Sequence, residues 1–123
     1  MGLADCTYCS VGAEDAWMTT EFVVAVPHPN PLTECHLIVA PRRHVPAFYD
    51  LDVQEQRMVW EALAELRRRI AGTIEVEGFD AGFVDSPMPD QSDFHACIHL
   101  VPRVRGKRIH LPGDIEWVDL GLA

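Results

Sequence analysis

Between residues 94 and 100 the chain alternates strictly: Phe94, Ala96, Ile98 and Leu100 are apolar, and His95, Cys97 and His99 stand between them. An extended strand sorts such a repeat, because successive side chains point to opposite faces. A helix would scatter the same residues around its axis. The segment therefore predicts a strand with one face on an apolar layer and the other carrying imidazole, thiol and imidazole in a row. Metal-ligating and nucleophilic groups recurring at period two mark a candidate site.

The rest of the chain supplies partners for such a strand. Glu21–Val26 reads as a strand ended by Pro27-His28-Pro29-Asn30-Pro31, and His36–Ala40 as a second one stopped by Pro41. The short span between them suits neighbouring antiparallel strands. Asp52 can cap a helix, with Glu55 three residues on completing a capping box. Met58, Val59, Ala62, Leu63, Leu66 and Ile70 follow at helical spacing, and Gly72 is a suitable stop. Phe79–Val84 suggests a further strand, and a proline-containing loop over 85–90 leads into the site strand. The expected fold class is α+β: an antiparallel sheet with one long helix packed on it, as a single domain over residues 1–123.

Composition removes several function classes. A net charge of −9 argues against a broad nucleic-acid-binding face. Arg42-Arg43 and the set Arg103, Arg105, Lys107 and Arg108 are local exceptions, readable as a phosphate patch or as solvated charge. A hydrophobic content of 48% separates the chain from disordered sequences. No apolar run is long enough to cross a bilayer, and Met1-Gly2-Leu3-Ala4-Asp5 does not read as a signal peptide. The expected location is the cytoplasm, with no membrane partner. In that reducing compartment cysteines point to metal binding or catalysis rather than disulfides. Cys6-Thr7-Tyr8-Cys9 has the C-x-x-C spacing that lets two thiolates share a zinc ion; a redox pair and two incidental thiols are the competing readings.

Ordered blocks along nearly the whole chain resemble the histidine triad (HIT) family of nucleotide hydrolases and nucleotidyl transferases. Asn30-Pro31 followed by Cys35-His36, and then Pro41-x-x-His44-Val45, is similar to the family's first block. Gln91-Ser92-x-x-His95-x-Cys97-x-His99-x-x-Pro102-Arg103 is similar to its triad block. This chain has Cys97 where the family has the middle histidine, which attacks the α-phosphorus. It has His28 where the family often has an acidic residue on the ribose, Cys35 where it has a glycine, and Val84 in place of a common asparagine.

The resemblance implies a hydrolase or nucleotidyl transferase acting on the α-phosphate of a nucleotide-like substrate, a phosphoramidate or a dinucleoside polyphosphate. The covalent intermediate would form on Cys97, with His36 and His99 as its catalytic neighbours and Gln91, Ser92 and His28 as substrate-binding residues. The alternative is a catalytically impaired protein that binds or senses nucleotides. The resemblance also implies one structural zinc ion on Cys6, Cys9, His44 and His95, with Cys97 as a rival fourth ligand. Residues 1–20 would form the zinc-binding segment and 104–123 a C-terminal tail. A homodimer through the long helix and a sheet edge is expected, with Trp60 and Trp117 buried there or in the monomer's own core.

Overall fold

A computed structural model describes residue 9, residues 16–83 and residues 95–105. The expected residues Cys6, Gln91, Ser92, Val84, Phe94 and Trp117 lie outside that set. Five strands, β1 (Met18–Thr19), β2 (Val23–Pro27), β3 (Leu37–Pro41), β4 (Gly78–Gly82) and β5 (Ile98–Arg103), form one sheet in the order β1-β2-β3-β5-β4. All the pairings are antiparallel. Among the described residues one α-helix, α1 (Val53–Ala71), packs on one face of the sheet, after a short 3-10 turn at Phe48–Asp50.

The helix begins and ends where local chemistry dictates. The Asp52 carboxylate accepts the Glu55 N–H at 2.8 Å, and Glu55 Oε1 accepts the Asp52 N–H at 3.1 Å, closing the capping box. Glu55 also receives Arg43, whose Nη2 is 2.7 Å from Oε1. One carboxylate thereby ties the helix start to the loop after β3. At the other end Gly72 caps in a right-handed conformation with φ −82°, so the stop does not use a left-handed glycine. Its N–H instead turns back to the carbonyls of Arg68 and Ile70.

Val59, Ala62, Leu63, Leu66 and Ile70 bury the helix's apolar stripe against Val23, Ala25, Leu37, Val39, Ala96, Ile98 and Leu100. The intervening residues Val24, Ile38, Ala40 and Val101 are buried on the other side of the pleat. Both sheet faces are therefore covered in the middle. Side chains at the ends of β2, β3 and β5 are left to form the site.

Two elements depart from the sequence expectation. β1 is two residues long, too short to leave a periodic signature. The site strand joins the ladder at Ile98, opposite Val39, and the described residues before it, 95–97, run outside the ladder. Upstream of Ile98 the Ala96 N–H instead donates to the Val45 carbonyl at 2.8 Å. Ala96 and Ile98 still fall in the core cluster, so the apolar half of the alternation persists through this stretch.

Candidate functional site

The β2–β3 hairpin brings the first pair of histidines together. Its register pairs Pro27 with Leu37, and the next pair outward, His28 and His36, is joined by the His28 N–H to the His36 carbonyl at 2.9 Å. Their rings stack with centroids 4.5 Å apart. Just before His36, Cys35 takes a left-handed conformation with φ 66°, which costs a residue bearing a Cβ about 1–2 kcal/mol. Thr33 steadies the same turn, donating its hydroxyl to the Pro102 carbonyl at 2.7 Å. β5 supplies His99, opposite Ile38 in the register and with its ring centroid 5.3 Å from that of His36.

Hydrogen-bond direction fixes the tautomers in this cluster. The Leu32 N–H donates to His36 Nδ1 at 3.1 Å, so neutral His36 carries its proton on Nε2. Nε2–H then donates to His99 Nδ1 at 3.0 Å, leaving the His99 proton on Nε2. The Asn30 N–H likewise occupies His28 Nδ1 at 2.9 Å, placing the His28 proton on Nε2. The chain of donors favours the neutral forms of His36 and His99. Burial, followed by the charges of His28 and His99, pushes His36 down to about 4; burial, followed by His28, does the same to His99, also to about 4.

A pH dependence follows from these depressed values. Between pH 6.5 and about 4 the unfolded chain protonates these two imidazoles while the folded one resists. Their contribution to stability is intact above pH 6.5 and is lost as the pH falls toward 4. Thermal unfolding followed across pH should show Tm dropping through that window, and dropping less in His99→Asn. An equal drop in the variant would remove His99 as a source of the effect.

A second cluster forms at the other end of the alternating row. Cys9 Sγ lies 3.2 Å from His44 Nδ1 and 3.4 Å from His95 Nδ1, and the two Nδ1 atoms are 3.1 Å apart. Here direction runs the other way. His95 Nε2–H donates to the Pro41 carbonyl at 2.7 Å, which leaves Nδ1 as a lone pair aimed at Cys9 and His44. Burial lowers the pKa of His95 and so favours that neutral form. The opposite nitrogen of His44, Nε2, is buried without a hydrogen-bond partner among the described residues.

The donor set suits a tetrahedral ion. Zinc–nitrogen and zinc–sulfur bonds of about 2.1 and 2.3 Å would space nitrogens ~3.4 Å apart and sulfur ~3.6 Å from nitrogen. The observed separations lie within a few tenths of an ångström of those values.

The row of three side chains is thus divided. His95 belongs with Cys9 and His44, and His99 with His28 and His36; the expectation that His95, Cys97 and His99 face one common pocket is replaced by two clusters flanking Cys97. Cys97 is half-buried, between the two groups of ligand atoms that the described residues form. Its chain neighbours Ala96 and Ile98 are in the apolar core, so the pleat turns the thiol the other way. Sequence reasoning missed the Leu32, Asn30 and Pro41 backbone groups. The signal for the His28–His36 pair was present, because both residues are equidistant from the hairpin centre.

Trp60 is neither in the core nor in contact with these clusters. It lies on the outer face of α1, 50% exposed, near Tyr49 at 60% and Val53 at 78%. Among the described residues no helix is long and apolar enough to cross a membrane.

Comparison with known proteins agrees with this architecture. A bifunctional bis(5'-adenosyl)-triphosphatase/adenylylsulfatase of Arabidopsis thaliana is 26% identical over 96 residues, covering 78% of this chain and 53% of the relative. A bis(5'-adenosyl)-triphosphatase of Dictyostelium discoideum is 26% identical over 89 residues, covering 72% of this chain and 60% of the relative. The chain therefore spans between half and two thirds of these curated relatives. The crystal structure of a HIT family member from Bacillus subtilis superposes with a TM-score of 0.71 at 20% identity, covering 95% of this chain and 94% of the other. The HIT domain itself matches residues 13–106, which hold the sheet, the helix, the cluster of His28, His36 and His99, and His44 and His95 of the other, and the chain belongs to the HIT domain family.

Proposed function

We propose that this chain is a nucleotide hydrolase or nucleotidyl transferase that acts on the α-phosphate of a phosphoramidate or dinucleoside polyphosphate through a covalent intermediate on Cys97. One observation carries the reading: the His36–His99 hydrogen bond of 3.0 Å, which aims a fixed N–H from the residue two positions along the strand from the thiol. A fixed donor beside a nucleophile suits the non-bridging oxygens of a phosphate, where charge grows in the transition state. The relatives named as triphosphatases point the same way.

The steps balance as follows. The Cys97 thiolate attacks phosphorus, the S–P bond forms, and the bond to the leaving group breaks with its electron pair. Water then attacks phosphorus, the S–P bond breaks, and the thiolate returns. An unperturbed thiol, with a pKa near ~8.5, supplies a few per cent thiolate at neutral pH. The Leu32 N–H on His36 Nδ1 and the His36 Nε2–H on His99 Nδ1 make these two imidazoles donors rather than bases, so they stabilise the phosphate and do not take the thiol proton. Gln91 and Ser92 are assigned to the phosphate and His28 to the rest of the substrate.

We assign Cys6, Cys9, His44 and His95 to one structural zinc ion, which would tie the N-terminal segment to the sheet and take no part in the reaction. A metal would supply a closed, redox-inert crosslink there. The site is expected to load in the cytoplasm, where both thiols stay reduced. Two chains are expected to associate through Trp60, Val53 and the outer face of α1, an assembly that sedimentation would reveal and a monomeric profile would dismiss.

Turnover tests the reading directly. Purified protein should release AMP from at least one member of a panel of adenosine phosphoramidates, diadenosine polyphosphates and adenosine 5'-phosphosulfate. If calorimetry records binding and no member is cleaved, the protein is a nucleotide sensor.

A further inference from the structure

Thr33 is a buried polar residue with no part in the steps above. Its side chain is 3% exposed, and its hydroxyl donates at 2.7 Å to the carbonyl of Pro102, 69 residues away in the chain. Valine has nearly the same shape and would bury no hydroxyl. The hydroxyl therefore has a use beyond filling space.

Its place in the fold suggests that use. The β3–β5 ladder runs from Val39 and Ile98 to Leu37 and Leu100. Two residues beyond Leu37, at Cys35, the backbone is left-handed with φ 66° and the strand has given way to a turn. Two links lie inside that turn: the His36 N–H donates to the Thr33 carbonyl at 3.2 Å, and the Leu32 N–H to His36 Nδ1 at 3.1 Å. They fix its shape. The Thr33 hydroxyl fixes its position against β5, the strand that carries His99. A left-handed residue such as Cys35 persists only where surrounding contacts hold it.

The turn delivers a proton position. Leu32, next to Thr33 in the chain, fills the Nδ1 lone pair of His36, so the His36 proton stays on Nε2 and the His99 proton on its own Nε2. The titratable groups that face the His36 ring are His28 and His99, with centroids 4.5 and 5.3 Å away, and Glu34 on the turn itself is exposed. Neither imidazole bonds to Nδ1 of His36. If the Leu32 N–H moves away, that lone pair opens to a proton and the chain of donors loses its direction.

We propose that Thr33 is a positioning residue: by tying the turn to the Pro102 carbonyl, its hydroxyl holds the Leu32 N–H on His36 and so keeps the His99 proton on Nε2. The use of that proton at a phosphate rests on the hydrolase reading above; the tautomer does not.

Thr33→Val keeps the shape and removes the hydroxyl, and Thr33→Ser keeps the hydroxyl. Nitrogen NMR of isotope-labelled histidine rings reads tautomer and titration without any turnover. Wild type should show His36 and His99 as single Nε2–H tautomers, with His36 titrating at about 4. In Thr33→Val the His36 tautomers should mix and its titration should rise by about one unit or more, toward the ordinary 6.5. On a substrate that wild type cleaves, kcat should fall about 10-fold with KM changed less than about 3-fold, because a misdirected donor is missed most in the transition state. Thr33→Ser should restore rings and kcat together.

Wild-type tautomers and titration retained in Thr33→Val overturn the inference. So does a Thr33→Ser that loses them to the same degree, or a kcat that stays level while the rings change. Where Thr33→Val does not fold, Thr33→Ala, which leaves more room around the Pro102 carbonyl, takes its place under the same criteria. A wild type that cleaves nothing ends the hydrolase reading, and the ring spectra then still decide whether Thr33 holds the tautomer.

Discussion

Cys97→Ser should lower kcat/KM by about 10³-fold or more and abolish any covalent adduct seen by intact mass. The size of the effect follows from the difference between a thiol and an alcohol as nucleophiles. Serine is a competent nucleophile only when a neighbour removes its proton, and both candidate neighbours here have their acceptor nitrogens closed by hydrogen bonds. A thiol can ionise unaided to a useful extent near neutral pH, whereas an alcohol cannot. In wild type, quenching the reaction with a slow phosphoramidate should trap nucleotidyl-Cys97, and alkylating the thiol beforehand should prevent it. Turnover in Cys97→Ser within a few-fold of wild type would end the covalent proposal. The sensing alternative makes a different forecast: no turnover in either protein, unchanged ligand affinity in Cys97→Ser, and a gain of hydrolysis in Cys97→His, which restores three alternating histidines.

Much of what positions this chemistry can be read from local sequence. The capping box at Asp52 and Glu55 specifies where α1 starts because both partners lie within one helical turn. The helix stripe reads directly as core, since five of its six expected residues, Val59, Ala62, Leu63, Leu66 and Ile70, are buried, with Met58 packed at the edge. Periodicity also separates Ala96 and Ile98 from Cys97 correctly.

What is not legible depends on main-chain groups contributed by distant residues. The pattern of residues 94–100 gives a row of three side chains and does not reveal that it serves two clusters. That division is set by the Pro41 carbonyl on His95 and by the Leu32 N–H behind His36. A backbone carbonyl is invisible in a side-chain pattern, yet here it decides which imidazole can offer a lone pair.

Removing the metal should have the second large effect, on stability rather than on the reaction. Cys9, His44 and His95 come from three separate parts of the chain, the N-terminal segment, the loop after β3 and the approach to β5. An ion bound to all three crosslinks the molecule. Apparent binding energies of structural zinc are about 10–16 kcal/mol in small peptides, against a total folding stability of about 5–15 kcal/mol for a domain. Even a third of the lower figure, spread over a chain of 123 residues, shifts Tm by about 10 °C or more.

Protein purified without chelator should therefore carry one zinc per chain by elemental analysis, and a strong chelator should lower Tm by at least that amount. Cys9→Ala and His95→Ala should reproduce the loss without added chelator. Cys97→Ala should not, if the ligand group is Cys9, His44 and His95 of the described residues together with Cys6. Loss of zinc in Cys97→Ala would transfer that cysteine from the reaction to the metal. If chelation leaves Tm unchanged and no zinc is found, Cys9, His44 and His95 are held together by shared protons alone, and the structural role assigned to them fails.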